Sequence, residues 1–237
     1  MAATFKRPHH RRIALVLSSL DAALLRENRC LFAGGTVIAM RYGEYRESVD
    51  IDFLVSDREC YRNLRQLMRS ASGFSTILGA GSNPLILNRE IRMDQYGIRT
   101  ELEVDDQPIK FEIVYEARID LSESGVGDEI CSVATLTPLD LAASKLLANS
   151  DRWADDSVFS RDVIDLAMMN LPTKTVRQAM AKAEAAYGEA VRIDLERAIT
   201  RLMERENRLE RCMEVMAMDM PKAQLWARLR SLRRVLT

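Results

Sequence analysis

Two stretches decide how this chain is read: Leu31-Phe32-Ala33-Gly34-Gly35-Thr36 and Arg46-Glu47-Ser48-Val49-Asp50-Ile51-Asp52-Phe53. The first is a short apolar run that stops at two glycines, and residues 36–42 after it read as a short helix. In the second, apolar and acidic residues alternate, which predicts a strand with one dry and one polar face. Side chains two apart on a strand point the same way. Asp50 and Asp52 therefore share the polar face, and Val49, Ile51 and Phe53 are expected to pack on the other. Adjacent carboxylates repel, so a strand keeps such a pair only when something offsets the repulsion. Mg²⁺ can do so, because it takes hard oxygen ligands and is commonly held by a pair of carboxylates together with substrate phosphates. A Gly-Gly entering a helix fits beside it: bare N–H groups can approach an anion closely, and the helix N-terminus adds a favourable dipole.

Taken singly, a D-x-D is common on solvated strands and glycines serve ordinary turns. The order carries more weight: strand, Gly-Gly, helix, strand with D-x-D, then a later strand with another acid. That later strand is Ile109-Lys110-Phe111-Glu112-Ile113-Val114, where alternation puts Glu112 on the polar face with Lys110. Glu103 and Asp105 are nearby alternatives for the third carboxylate.

Working outward, residues 11–28 read as one opening amphipathic helix, with Ile13, Val16, Leu17, Leu20 and Leu24 at helical spacing. Residues 57–70 read as helix and 73–83 as loop. Strand-like runs follow near 85–93, 98–104 and 109–115, with a turn at Asp105-Asp106-Gln107-Pro108. Thr137-Pro138-Leu139-Asp140 supplies an N-cap, a proline at the first helical position and an early acid. Nearly everything after it reads as helix. The expectation is an α+β fold: a mixed sheet with flanking helices over residues 1–136, then a helical bundle over 137–237.

Composition narrows the chemistry by exclusion. A net charge of −1 argues neither for nor against nucleic acid, so charge distribution must decide. The four cysteines are scattered without a C-x-x-C pair, which predicts reduced thiols. His9 and His10 are the only histidines, which removes most reactions built on an imidazole base. No apolar run approaches a membrane span and no signal-peptide pattern opens the chain, so a soluble, cytoplasmic protein without membrane contact is expected.

Gly34-Gly35-Thr36 with Arg46-x-Ser48-x-Asp50-x-Asp52-Phe53 resembles the signature of the AbiEii/AbiGii toxin-type nucleotidyltransferases, a branch of the DNA polymerase β-like superfamily. A second block, Lys145-x-x-Ala148-x-x-x-Arg152 followed by Arg161-Asp162-x-x-Asp165-Leu166, resembles that family's helical motif. Together the blocks span about residues 31–166. The gap between Gly35 and Asp50 is toward the long end for the superfamily, so the connecting helix has to be accommodated.

The resemblance implies transfer of a nucleoside monophosphate from an NTP to an acceptor hydroxyl. Two Mg²⁺ ions would be bound by Asp50 and Asp52, with Glu112 completing the site and accepting the proton. Gly34, Gly35, Thr36 and Ser48 would hold the triphosphate. Lys145, two turns before Arg152 on one helix face, would contact the nucleotide, with Arg152 near it and Asp162 orienting it. The alternative for both cations is pairing with Asp155, Asp156 or Asp162. Asp165 is expected to cap or brace its helix, and Arg46 to pair with Glu44 or Glu47.

The same resemblance implies an intracellular toxin with a cognate antitoxin and makes tRNA the leading acceptor. A small molecule or a protein side chain remains an alternative acceptor, as does a catalytically silent nucleotide- or RNA-binding module. From residue 222 to 234 the chain carries five positive charges and no acid, with Leu225, Leu229 and Leu232 on one helix face. Such a basic stripe suits a phosphate backbone, or simply a solvated face. Trp153 and Trp226 are expected in the core.

Overall fold

The computed structural model describes residues 5–236. Residues 1–4 and 237, the outer ends of the two expected domains, lie outside the described residues. The chain forms two compact units, one from residues 1–40 and 48–137, the other from 41–47 and 138–237.

The first unit is built on a five-stranded mixed sheet. Its strands are β1 (Leu31–Ala33), β2 (Ile51–Val55), β3 (Ile86–Met93), β4 (Gly97–Val104) and β5 (Gln107–Tyr115), in the order β1-β2-β5-β4-β3. β2 and β5 run parallel, and every other pairing is antiparallel. The alternation seen in the sequence becomes the dry face: Ile51, Phe53, Val55, Ile109, Phe111 and Ile113 are all fully buried. Phe32, Phe53 and Phe111 line up across three strands with ring centroids 5.6 and 5.5 Å apart, and Phe74 meets Phe111 edge-on at 5.0 Å. Each such pair adds about 0.5–1.5 kcal/mol to plain area burial. Val49 departs from the expectation: it precedes β2 and stays exposed, because regular alternation begins only at Ile51.

The opening helix is two helices, α1 (Pro8–Ser19) and α2 (Ala22–Glu27). Periodicity ran across the break because Leu20 and Leu24 keep helical spacing. What breaks it is local hydrogen bonding that periodicity cannot register. The Asp21 carboxylate accepts from the N–H groups of Ala23 and Leu24, and the Ile77 carbonyl and Leu78 bridge hold the junction. Helix α3 (Gly34–Arg41) starts on the first glycine, and α4 (Arg58–Met68) is capped by Asp57. Asp105 and Asp106 both take left-handed backbone, so the β4–β5 hairpin turns on two residues and Gln107-Pro108 already belong to β5. A small hairpin, β6 (Glu129–Ile130) and β7 (Val133–Ala134), completes the unit.

The second unit is helical, with α5 (Pro138–Arg152), α6 (Arg161–Met169), α7 (Thr173–Tyr187), α8 (Ala190–Glu204), α9 (Arg208–Val215) and α10 (Lys222–Arg233). α5 contacts α6, α7 and α8, and α6 is buried from Asp162 through Met169, as expected of elements at a bundle's centre. The sequence division left residues 41–47 with the sheet. They join the bundle instead, through a Glu47 N–H bond to the Met216 carbonyl and through side chains described below. Leu225, Leu229 and Leu232 are buried along α10, whereas Trp153 and Trp226 are only half-buried. All four cysteines are free, and among the described residues no helix is long and apolar enough to cross a membrane.

Candidate active site

β1 delivers the chain to Gly34, whose φ of +76° is left-handed. A Cβ built there would lie 2.7 Å from Asp52 Oδ2, so the Asp52 carboxylate packs directly on this bare backbone. Strand pairing produces the contact, because Ala33 stands opposite Asp52 in the β1–β2 register. The approach to β2 is fastened to α3 by Thr36, whose Oγ1 donates to the Asp50 carbonyl at 2.6 Å. That bond uses the only hydroxyl proton of Thr36, so in the 2.8 Å contact with Ser48 the serine must be the donor. Thr36 is almost fully buried, and its side chain therefore fixes the turn. Asp50 and Asp52 are half-buried. A hard carboxylate beside a glycine turn, with a second acid two residues before it, fits Mg²⁺, whose other positions would go to phosphate oxygens and water.

Gly34→Ala is expected to damage this corner twice over. An L side chain in left-handed backbone costs about 1–2 kcal/mol, and the new methyl pushes the Asp52 carboxylate off its position. We expect a lower melting temperature and at least roughly tenfold slower nucleotidyl transfer. Unchanged values of both would mean that the Gly34–Asp52 contact contributes nothing to either.

Glu112 stands opposite Asp52 across the parallel β2–β5 pair, on the same polar face. Its carboxylate lies 3.0 Å from Lys110 Nζ and 3.4 Å from Arg99 Nε. Among the described residues no group of three or more His, Cys, Asp or Glu side chains is placed to hold a metal ion. Glu112 is engaged with these two cations on its own sheet face. Of its alternatives, Glu103 sits far along β4 opposite Pro108, and Asp105 is exposed at the hairpin turn. A row of register partners crosses the sheet from Ala33 through Asp52, Glu112 and Arg99 to Arg92. The carboxylate pair thus heads a polar sheet face that turns basic toward β3.

Inside the helical unit, the second motif folds into a charge cluster. Asp165 is fully buried and accepts from Tyr45 Oη at 2.6 Å and from Arg46 Nε and Nη2 at 2.7 and 2.9 Å. Lys145 Nζ lies 2.9 Å from both Asp162 and Asp165. Arg152 grips Asp162 with Nε and Nη2 at 2.7 and 3.0 Å. Burial by itself would raise the carboxyl pKa of Asp162, but Lys145 and Arg152 overturn that and hold it well below the ordinary range. Asp165 is likewise depressed: burial opposes its charge, and Arg46 and Lys145 outweigh burial. The Lys145 ammonium resists burial in turn and is raised by its two carboxylates.

Lys145 and Arg152 therefore enter any nucleotide-binding role already committed to Asp162 and Asp165. Arg46 pairs with Asp165, and its Nη1 donates to the Glu47 carbonyl at 2.7 Å. Asp165 was not among the expected partners of Arg46, yet a fully buried carboxylate demands a charged partner and draws it in.

Two contributors were overlooked in the sequence. His10 is fully buried, and its Nε2 accepts the Ser48 N–H at 3.2 Å, while His9 Nε2 donates to the Val49 carbonyl at 3.2 Å. The adjacent histidines thus position the entry to β2. The one available signal was His10 at helical spacing from Ile13 and Leu17. Tyr45 is the other, and nothing in the local pattern marked it.

The model of the family described as nucleotidyl transferase AbiEii toxin, type IV TA system, matches residues 16–232. Among solved structures, a candidate nucleotidyltransferase from H. pylori is similar at 17% identity and a TM-score of 0.49, covering 96% of this chain and 94% of that one. JHP933 from Helicobacter pylori is similar at 17% identity and a TM-score of 0.48, covering 98% and 95%. No curated protein matches significantly. Since the family match takes in both the glycine–D-x-D corner and the helical charge cluster, this chain belongs to the AbiEii nucleotidyl transferase toxin family of type IV toxin–antitoxin systems.

Proposed function

We propose that this protein transfers a nucleoside monophosphate from an NTP to an acceptor hydroxyl, with pyrophosphate as the second product. The observation that carries the reading is Asp52 packed on the bare backbone of Gly34, which puts a carboxylate and close-approach N–H groups at one corner. In this reading Asp50 and Asp52 hold the Mg²⁺, and Gly34 and Gly35 receive the triphosphate. Bound Mg²⁺ would neutralise phosphate charge and acidify the attacking hydroxyl. The hydroxyl oxygen forms a bond to the α-phosphorus, and the bond to the β-phosphate oxygen breaks. Glu112, beside Asp52 in register, takes the hydroxyl proton. Ser48 can donate its hydroxyl proton to phosphate only if that hydroxyl turns from Thr36.

tRNA is the acceptor we favour. Support comes from α10, which buries its leucines and leaves Arg230, and Arg234 just past its end, exposed. The antitoxin is the protein partner, and the setting is the cytoplasm. The test is a survey of each labelled NTP with Mg²⁺ and total tRNA. Label on RNA is the expected result. Label only on protein or on a small metabolite would transfer the reading to another acceptor. Intact NTP binding with no transfer would leave a silent binding module.

A further inference from the structure

Within the helical unit, Arg205, Arg208 and Arg211 line an open cleft of about 440 Å³ with Asp156, Phe159 and Asn207. Three guanidiniums converge on the single carboxylate of Asp156: Arg201 at 2.7 Å, Arg205 at 3.4 Å, and Arg208 in close contact. Arg211 makes no ion pair among the described residues, and Glu206 is the only other acid lining the cleft. Positive charge is therefore in excess here, although the whole chain is nearly neutral.

Arg208 is the informative member. Its side chain is only 6% exposed, yet its Nε is buried without a hydrogen-bond partner. The rest of its guanidinium is anchored, Nη1 on Asp156 and Nη2 on Ser160, which fixes this charge at the cleft wall. The same place holds the start of α9. Asn207 stands there in left-handed backbone, and its side chain makes no cap bond, so the leading N–H groups of that helix have no side-chain acceptor.

We infer that this cleft binds a phosphate-class oxyanion, seated against Arg205, Arg208 and Arg211 at the N-terminus of α9. The guanidinium fork matches phosphate oxygens in pairs, and an anion there would offset the positive charge that Asp156 and Glu206 leave uncompensated. The phosphate could belong to a nucleic-acid backbone or be free in solution. Both present the same chemistry to the arginines. Nothing in this inference depends on the glycine–D-x-D corner, and its readout is binding rather than transfer.

The test uses the full chain and the variant Arg205→Gln/Arg211→Gln, two exposed positions whose exchange leaves helix packing intact. Inorganic phosphate and a short single-stranded RNA are each titrated calorimetrically. Phosphate is expected to bind wild type and to weaken by roughly tenfold in the variant, with unchanged circular dichroism. If the natural source is a nucleic-acid backbone, the RNA binds tighter than phosphate. It also loses affinity in the variant, with a salt slope smaller by about two. RNA binding that ignores the exchange while phosphate binding weakens assigns the cleft to free phosphate. Equal affinity of wild type and variant for both probes overturns the inference, as does absence of phosphate binding together with unaltered RNA binding.

Discussion

Asp52→Ala is expected to slow nucleotidyl transfer at least about a hundredfold without unfolding the protein. Its carboxylate is the acidic group packed on the Gly34 turn, and no neighbouring side chain can move into its place along a strand whose register is pinned on both sides. The stability side of the prediction is as specific. Asp52 faces Glu112 directly across β2 and β5, and like charges in register destabilise a sheet. Removing one is therefore expected to leave the melting temperature unchanged or slightly raised, the sign of a residue kept for activity. Paired measurements of labelled transfer and thermal unfolding check both halves. Near-wild-type transfer by a folded Asp52→Ala protein would falsify the metal-site assignment.

Asp165→Asn is expected to give the largest loss of stability, about 3–5 kcal/mol, because it leaves the buried Arg46 and Lys145 cations facing a neutral amide. Trp153 and Trp226 both lie in the helical unit, so tryptophan fluorescence during denaturant unfolding reads this effect there. The pH dependence has a definite sign. Asp162 and Asp165 have folded-state pKa values below their unfolded ones. Their stabilisation is thus complete above the ordinary carboxylate range, about pH 4, and is lost only as pH falls through the depressed folded values. Wild type should hold its tryptophan signal through pH 4 and lose it at more acidic pH. The variant should start less stable at pH 7 and show a shallower acid dependence. Equal stability of the two proteins at pH 7 would mean the cluster contributes nothing net.

The site was legible where chemistry follows chain order. Ala33-Gly34-Gly35 and Asp50-Ile51-Asp52 could be read because strand period and glycine freedom are local properties, and the dry face through Phe53 and Phe111 followed from alternation alone. Glu112 was legible as to face but not as to partner. Its engagement with Arg99 depends on which strand β5 pairs with, and on a register that hairpin geometry sets. His10 escaped because a neutral imidazole on an apolar helix face looks like any core residue until its acceptor nitrogen meets the Ser48 N–H.

By itself, then, the sequence determined the α+β-then-helical order, the acidic strand, the glycine turn and the family motifs, all written in spacings of a few residues. Tertiary structure alone decided that residues 41–47 leave the sheet and insert Tyr45 and Arg46 onto Asp165, and that arginines from α8 and α9 surround Asp156. The physical reason is common to both. A buried charge must find an opposite charge wherever packing provides one, and packing joins residues that no local pattern relates.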